Sequence, residues 1–272
     1  MKAIPSLFVS YELPPLALQD DPYNTSLVNF GRYLGSSLKG IVCVSSQWTT
    51  PGPVQITTMA QSSIQYNFQG FQQELYEMTY EPPVSFELEA IVAELLEKQN
   101  FETTYNEHYG FDHGVWMPLR LIRPEADIPV VQISIPMIDD PRMLLKLGHA
   151  LSSLREQGIL VLGSGAAALN TGKLVWHARG EDIHPKSKEF NQWLEEKLMS
   201  ADIENILDYR KAAPHSDFAN PTSAGLMPLI FIMGTSIAGD RPQIVYKGFK
   251  YSTASLLSVC LSEDSIPEGL LS

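Results

Sequence analysis

The chain has 272 residues, with 31 Asp and Glu against 19 Lys and Arg, and its formal net charge of −12 argues against nucleic acid as a partner. Hydrophobic residues make up 44% and charged residues 18%, the latter below the roughly 25% of an ordinary soluble domain, so a sizeable core can be buried and disorder is excluded over most of the length. No Pro/Gly/Ser-rich linker or charge block divides the chain, and residues 1–272 read as one domain.

In chain order, the opening MKAIPSLFVSYELPP has one Lys and an apolar run too short for a signal segment or a membrane span, which gives an expectation of a cytoplasmic protein. That run, Ser6–Ser10, has strand length. A helical pattern follows over Thr25–Leu38, then strand-like runs at Gly40–Ser45 and Val54–Met59. Gln65–Pro83 is crowded with aromatics and glutamines without a clear period, and reads as a structured loop packed on its own domain. Phe86–Gln99 is amphipathic. Glu102–Trp116 reads as irregular and carries EHYGFDHGVW, with two of the six histidines.

Val130–Ile135 and Ile159–Gly163 are further apolar strands. Between them Pro141–Gln157 places Leu144, Leu147, Leu151 and Leu154 at helical steps, and Lys186–Met199 is a last helical pattern. Strand and helix alternate. The expected fold is therefore α/β, a central and mostly parallel sheet covered by helices on both faces, with ligand sites where loops leave the strand ends. Cys43 and Cys260 lie far apart in apolar surroundings, and read as buried free thiols.

There is no Walker loop, no GxGxxG after a strand, no GxSxG elbow and no HExxH. GSGAAALN at Gly163–Asn170 lacks the helix and downstream acid of a dinucleotide fingerprint. His108 and His113 have no third ligand at metal-site spacing, so the pair reads as one surface residue and one pocket residue.

Seven segments in order carry a family resemblance: PSLFVSYELP, GIVCVSSQW, YGFDHGVWMPL, ADIPVVQISI, GILVLGSG, NPT followed by MPL, and FKYSTASLLSV. Together they resemble the DODA-type class III extradiol ring-cleavage dioxygenases, the LigB-like enzymes that open catechols such as DOPA. The resemblance runs from about Pro5 to Ser258. It implies three histidine ligands to one non-haem iron or zinc and a fourth histidine as acid and base. This chain departs at all four positions, with Tyr11, Gln47 and Gly225 at the ligand positions and Leu169 at the acid/base position. Only the accessory histidine of FDHGVW, His113, is present.

The chemistry of those replacements argues against the metal. A divalent ion in such a site needs about three protein donors, and imidazole is already neutral near pH 7. Tyr11 would have to ionise from a reference pKa near 10, costing about 4 kcal/mol at pH 7. Gln47 offers a weak amide oxygen, Gly225 no side chain, and Leu169 cannot shuttle a proton. The nearest candidate for rescue, His215, is ten residues before Gly225.

The expectation is thus a divergent member of the family with a metal-free former active site and no cofactor, which binds a small aromatic or acidic ligand or acts as a non-catalytic subunit of a homo- or hetero-oligomer. That pocket would be centred on His113 and lined by Tyr11, Glu12, Gln47, Trp48, Leu169, Asn170 and Gly225, with a volume of roughly 300 Å³ or more. Glu12 alternatively reads as a solvated loop charge, and Asp112 as the residue that orients the His113 loop through backbone bonds. A second expectation is a metal-independent enzyme with His113 as base or acid and Tyr11 as phenolic donor. A third is an active dioxygenase with Glu12, His113 and His215 as unconventional ligands.

Overall fold

The computed structural model of the protein describes residues 2–58, 64–137, 140–179 and 181–267. The end of the Val54–Met59 run therefore lies outside the described residues. Eight strands form one sheet: β1 (Ser6–Ser10), β2 (Gly40–Thr50), β3 (Val54–Thr57), β4 (Thr103–Asn106), β5 (Val130–Pro136), β6 (Ile159–Gly165), β7 (Arg241–Tyr246) and β10 (Ser258–Ser262). A small ribbon pairs β8 (Phe249–Lys250) with β9 (Ala254–Ser255). The sheet order is β4-β3-β5-β2-β6-β1-β10-β7. The four pairings β4-β3, β5-β2, β2-β6 and β6-β1 are parallel, so the carboxyl ends of β1, β2 and β6 open side by side.

Alternation along the central strands sends their side chains to two cores. Leu7, Val9, Ile41, Cys43, Leu160 and Leu162 face the core that holds helices α1 (Pro22–Leu34) and α3 (His113–Ile122). Phe8, Val42, Val44 and Val161 face the core of α2 (Phe86–Lys98), α4 (Arg142–Leu151), α5 (Pro185–Met199) and α9 (Met227–Gly234). This is the period of two that a doubly covered sheet requires. Three short helices, α6 (Ile203–Leu207), α7 (Tyr209–Ala212) and α8 (Ser216–Ala219), bridge α5 to α9.

Local chemistry explains the helix boundaries. Asp21 accepts from the Asn24 amide ahead of Pro22, which starts α1 three residues before the periodic stretch that begins at Thr25. Ser85 caps α2 in the same way. The apolar pattern of Pro141–Gln157 divides into α4 and a 3₁₀ segment, Ser152–Gln157, closed by Gly158 in the left-handed region. Gly148 of α4 and Gly234 of α9 cross at backbone contact: a β-carbon on either would fall 2.0 to 2.1 Å from a carbonyl oxygen of the other helix.

The irregular reading of Glu102–Trp116 is corrected at both ends, by β4 and by the start of α3 at His113. Pro118 inside α3 had masked the helical pattern. Cys43 and Cys260 are free and buried. Among the described residues no helix is long and apolar enough to cross a membrane.

Candidate functional site

The carboxyl ends of β1, β2 and β6 place Ser10 to Glu12, Ser45 to Trp48 and Gly165 to Ala166 together. The β2 register shifts between Val44 and Thr49, so Ser45 to Trp48 sit on a bulge, a device that re-aims side chains at a sheet's end. Gly225 reaches the same place from the turn before α9, where its carbonyl accepts from the Ala166 amide at 2.8 Å.

Glu12 occupies the centre. Its carboxylate accepts the Ser46 hydroxyl, and its Oε1 lies 3.3 Å from the position a β-carbon on Gly225 would take. It is part-buried, so its reading as a solvated loop charge is corrected. Burial pushes its pKa up from the usual carboxylate value, the Ser46 bond pulls it down, and the nearby Asp112 carboxylate adds to the rise.

His113 opens α3 and is 4% exposed. Its Nε2 is 3.3 Å from the Glu12 carbonyl oxygen, which only accepts, so Nε2 carries the proton and Nδ1 is left as an acceptor without a partner among the described residues. The edge of Phe68 covers the ring at 5.5 Å between centroids. Burial lowers the imidazole pKa, against the opposing pull of Asp112 and the Glu12 carbonyl.

Asp112 is fully buried. Its Oδ2 accepts from Gln132 Nε2 at 2.6 Å and from the Tyr109 hydroxyl at 3.2 Å. Its side chain makes no bond to a helix amide among the described residues, while its carbonyl accepts from the Val115 and Trp116 amides and fixes the turn that opens at His113. Burial raises its pKa, and the Gln132 bond, His113, Ser45 and Tyr109 oppose the rise.

The remaining expected residues diverge. Tyr11 is fully buried with its ring stacked on Tyr23 at 5.9 Å and its hydroxyl 3.5 Å from Asn24 Oδ1, so it belongs to the α1 core and does not serve His113 as a phenolic donor. Gln47 is exposed, its Nε2 3.4 Å from Ser46 Oγ. Trp48 stacks flat on Tyr109 at 4.0 Å, behind Asp112. Asn170 turns away and donates to the Phe218 carbonyl at 2.7 Å. Leu169 does border a space with Glu12, but that cavity is about 10 Å³, the size of one water. The expected pocket of roughly 300 Å³ shared by Tyr11, Gln47, Leu169, Gly225 and His113 is not formed among the described residues, because Tyr11 is buried in a core and Phe68 closes over His113.

Sequence reasoning missed Ser46, Tyr109 and Gln132, the partners that hold Glu12 and Asp112. Only Gln132 left a signal: a polar residue in the otherwise apolar strand PVVQISI needs a buried partner.

The donor set does not fit the iron or zinc of the resemblance. Burial drives the Tyr11 phenol pKa well above its usual value, which enlarges the cost of a phenolate. His215 pairs with Glu189 at 3.0 Å on the surface and so does not join Glu12 and His113 as a ligand. Among the described residues no three His, Cys, Asp or Glu side chains group as metal ligands.

Three comparisons bear on this geometry. Residues 24–261 match the family model of the catalytic LigB subunit of aromatic ring-opening dioxygenase. A 4,5-DOPA dioxygenase extradiol of Beta vulgaris is 30% identical over 247 residues, 90% of this chain and 91% of its own. Its namesake in Escherichia coli K12 is 30% identical over 262 residues, 94% of each chain. The crystal structure of an uncharacterised E. coli K12 protein superposes with a TM-score of 0.80 at 28% identity, covering 94% of this chain and 99% of that one.

Proposed function

This chain belongs to the LigB family of aromatic ring-opening dioxygenases, and we propose that within it the chain is a non-catalytic member, one that acts by binding or as a silent subunit beside a related chain. The observation that carries the proposal is the Glu12 carboxylate. It fills the space that position 225 faces, and it is held there by Ser46. A side chain at 225 would press on this carboxylate, which must give way by a few tenths of an ångström to admit it. Tyr11, directed to Tyr23 and Asn24, and Gln47, exposed with its amide toward Ser46, support the same reading. The relatives bear the name 4,5-DOPA dioxygenase extradiol, and the departure from them rests on Tyr11, Gln47, Leu169 and Gly225. A cytoplasmic location is part of the same proposal.

The test is metal analysis of protein purified without chelator or affinity tag, with oxygen uptake on DOPA and catechol in the presence of added ferrous iron. The expected outcome is no stoichiometric iron or zinc, and uptake equal to the control without enzyme. A tightly held metal in each chain between positions 11, 47 and 225, or iron-dependent turnover, overturns it.

One observation favours a second reading. Among the described residues His113 Nδ1 is an unpaired acceptor, and His113 adjoins Asp112, a buried carboxyl group whose proton is retained to higher pH than usual. A base beside an acid is the minimum for metal-independent proton transfer. Exchange of a substrate C–H proton for deuterium, abolished in both His113→Ala and Asp112→Asn, would select this reading.

A further inference from the structure

Outside the Glu12 centre, the aromatic loop and the segment after β6 enclose an open groove of about 920 Å³. Phe71, Trp176 and Tyr251 line it. Trp176 is 47% exposed, in a chain that leaves Trp48 and Trp116 only 4% and 0% exposed. The Trp176 ring lies 6.1 Å from Phe71 at 67° and 4.8 Å from Tyr251 at 56°, so the three form angled walls and leave the indole partly open.

The polar lining is of a particular kind. Gln19, Gln69 and Gln72 each bring an amide that both donates and accepts. The lining ammonium of Lys250 is neutralised by Asp21 at 2.9 Å, and a carboxylate ligand would have to compete with that pair. Aromatic faces are electron-rich and attract polarised C–H bonds, while amides match hydroxyls, which also donate and accept. An uncharged ring with flat C–H faces and many hydroxyls satisfies both.

The wall that carries Trp176 is fastened by the β8–β9 turn. Tyr251 and Ser252 are both in the left-handed region, with φ of 51° and 72°. Their carbonyls accept from the Val175 amide at 3.0 Å and the His184 amide at 2.8 Å. The two residues lie in the tight turn between β8 and β9, where a hairpin itself calls for consecutive left-handed positions.

We propose that this groove is a saccharide-binding site, in which Trp176 carries a pyranose ring and the three glutamine amides bond its hydroxyls. The proposal goes beyond the reading of the Glu12 centre and does not rest on it.

The test uses the full chain. Methyl β-D-glucopyranoside, methyl β-D-galactopyranoside and cellobiose are compared with hydroquinone and benzoate by saturation-transfer NMR and calorimetry. At least one carbohydrate is expected to bind with transfer to its ring C–H protons, and Trp176→Ala should weaken it about tenfold with unchanged circular dichroism. If Trp176→Ala fails to fold, the exposed Gln72→Ala carries the test with the same direction. Absence of carbohydrate binding at millimolar concentration overturns the proposal. So does carbohydrate binding that neither variant weakens, or Trp176-dependent binding of hydroquinone or benzoate in place of the sugars.

Discussion

The Glu12 carboxylate and Gly225 occupy one space: Glu12 Oε1 stands 3.3 Å from where a β-carbon on residue 225 would be, with Ala166 Cβ and the Ala166 carbonyl oxygen at the same distance. A glycine at 225 and a carboxylate at 12 are therefore two sides of one packing arrangement.

Gly225→His should destabilise the protein by about 1–3 kcal/mol, because the imidazole meets Glu12 and Ala166 in a filled site. Adding Glu12→Gly should recover part of that loss, and urea denaturation of both variants measures it. Histidines restored at 11, 47 and 225 should bind ferrous iron only when Glu12 is also replaced, and turnover should further need Leu169→His.

The pH dependence of Glu12 has a definite sign. A carboxyl group whose pKa is higher in the folded chain than its ordinary 4.5 stabilises the fold most below that value, and the contribution fades as pH rises through the folded pKa. Glu12→Gln keeps a partner for Ser46 and cannot ionise. Its stability relative to the parent should therefore improve as pH rises above 4.5, read by urea midpoints at a series of pH values. A constant difference across the series would contradict the assignment.

His113 works in the opposite direction. With its pKa held below the ordinary 6.5, its contribution is present above that pH and is lost as pH falls through the folded value. ¹⁵N-detected NMR should show the neutral imidazole with the proton on Nε2, titrating below 6.5. Phe68→Ala should uncover the ring and accelerate its modification by diethyl pyrocarbonate, while exposed His108 reacts at an unchanged rate.

At the opposite end of the strands, Arg155 and Asp240 form a pair whose side chains are each 1% exposed, and Arg155 also donates to the carbonyls of Ile4, Thr235 and Leu261. Arg155→Met strands a buried carboxylate and should cost about 3–5 kcal/mol in chemical denaturation. Adding Asp240→Asn should return much of that cost.

The sequence by itself determined the layers, the family and the residue types at positions 11, 47, 169 and 225. Apolar runs with a period of two, and leucines at helical steps, are local consequences of burial on a sheet or a helix face, and β1, β5, β6, α2 and α5 appear within a few residues of where they were read. That Gly225 has no donor and Leu169 no proton is chemistry that needs no coordinates. Short elements were not legible: β7 to β10 and α6 to α9 are mostly too brief or too uniformly apolar to show a period, and Pro118 hid α3. Only the tertiary structure decided which side chain lies at the centre between β1, β2 and Gly225. Adjacent positions at a strand's end point different ways, so Tyr11 went to Tyr23 and Asn24 while Glu12 met Ser46, 34 residues away in sequence. Gln132 reached Asp112 in the same manner across 20 residues. Such meetings depend on which strands lie side by side and where a bulge turns one of them, and neither is a property of the residues taken singly.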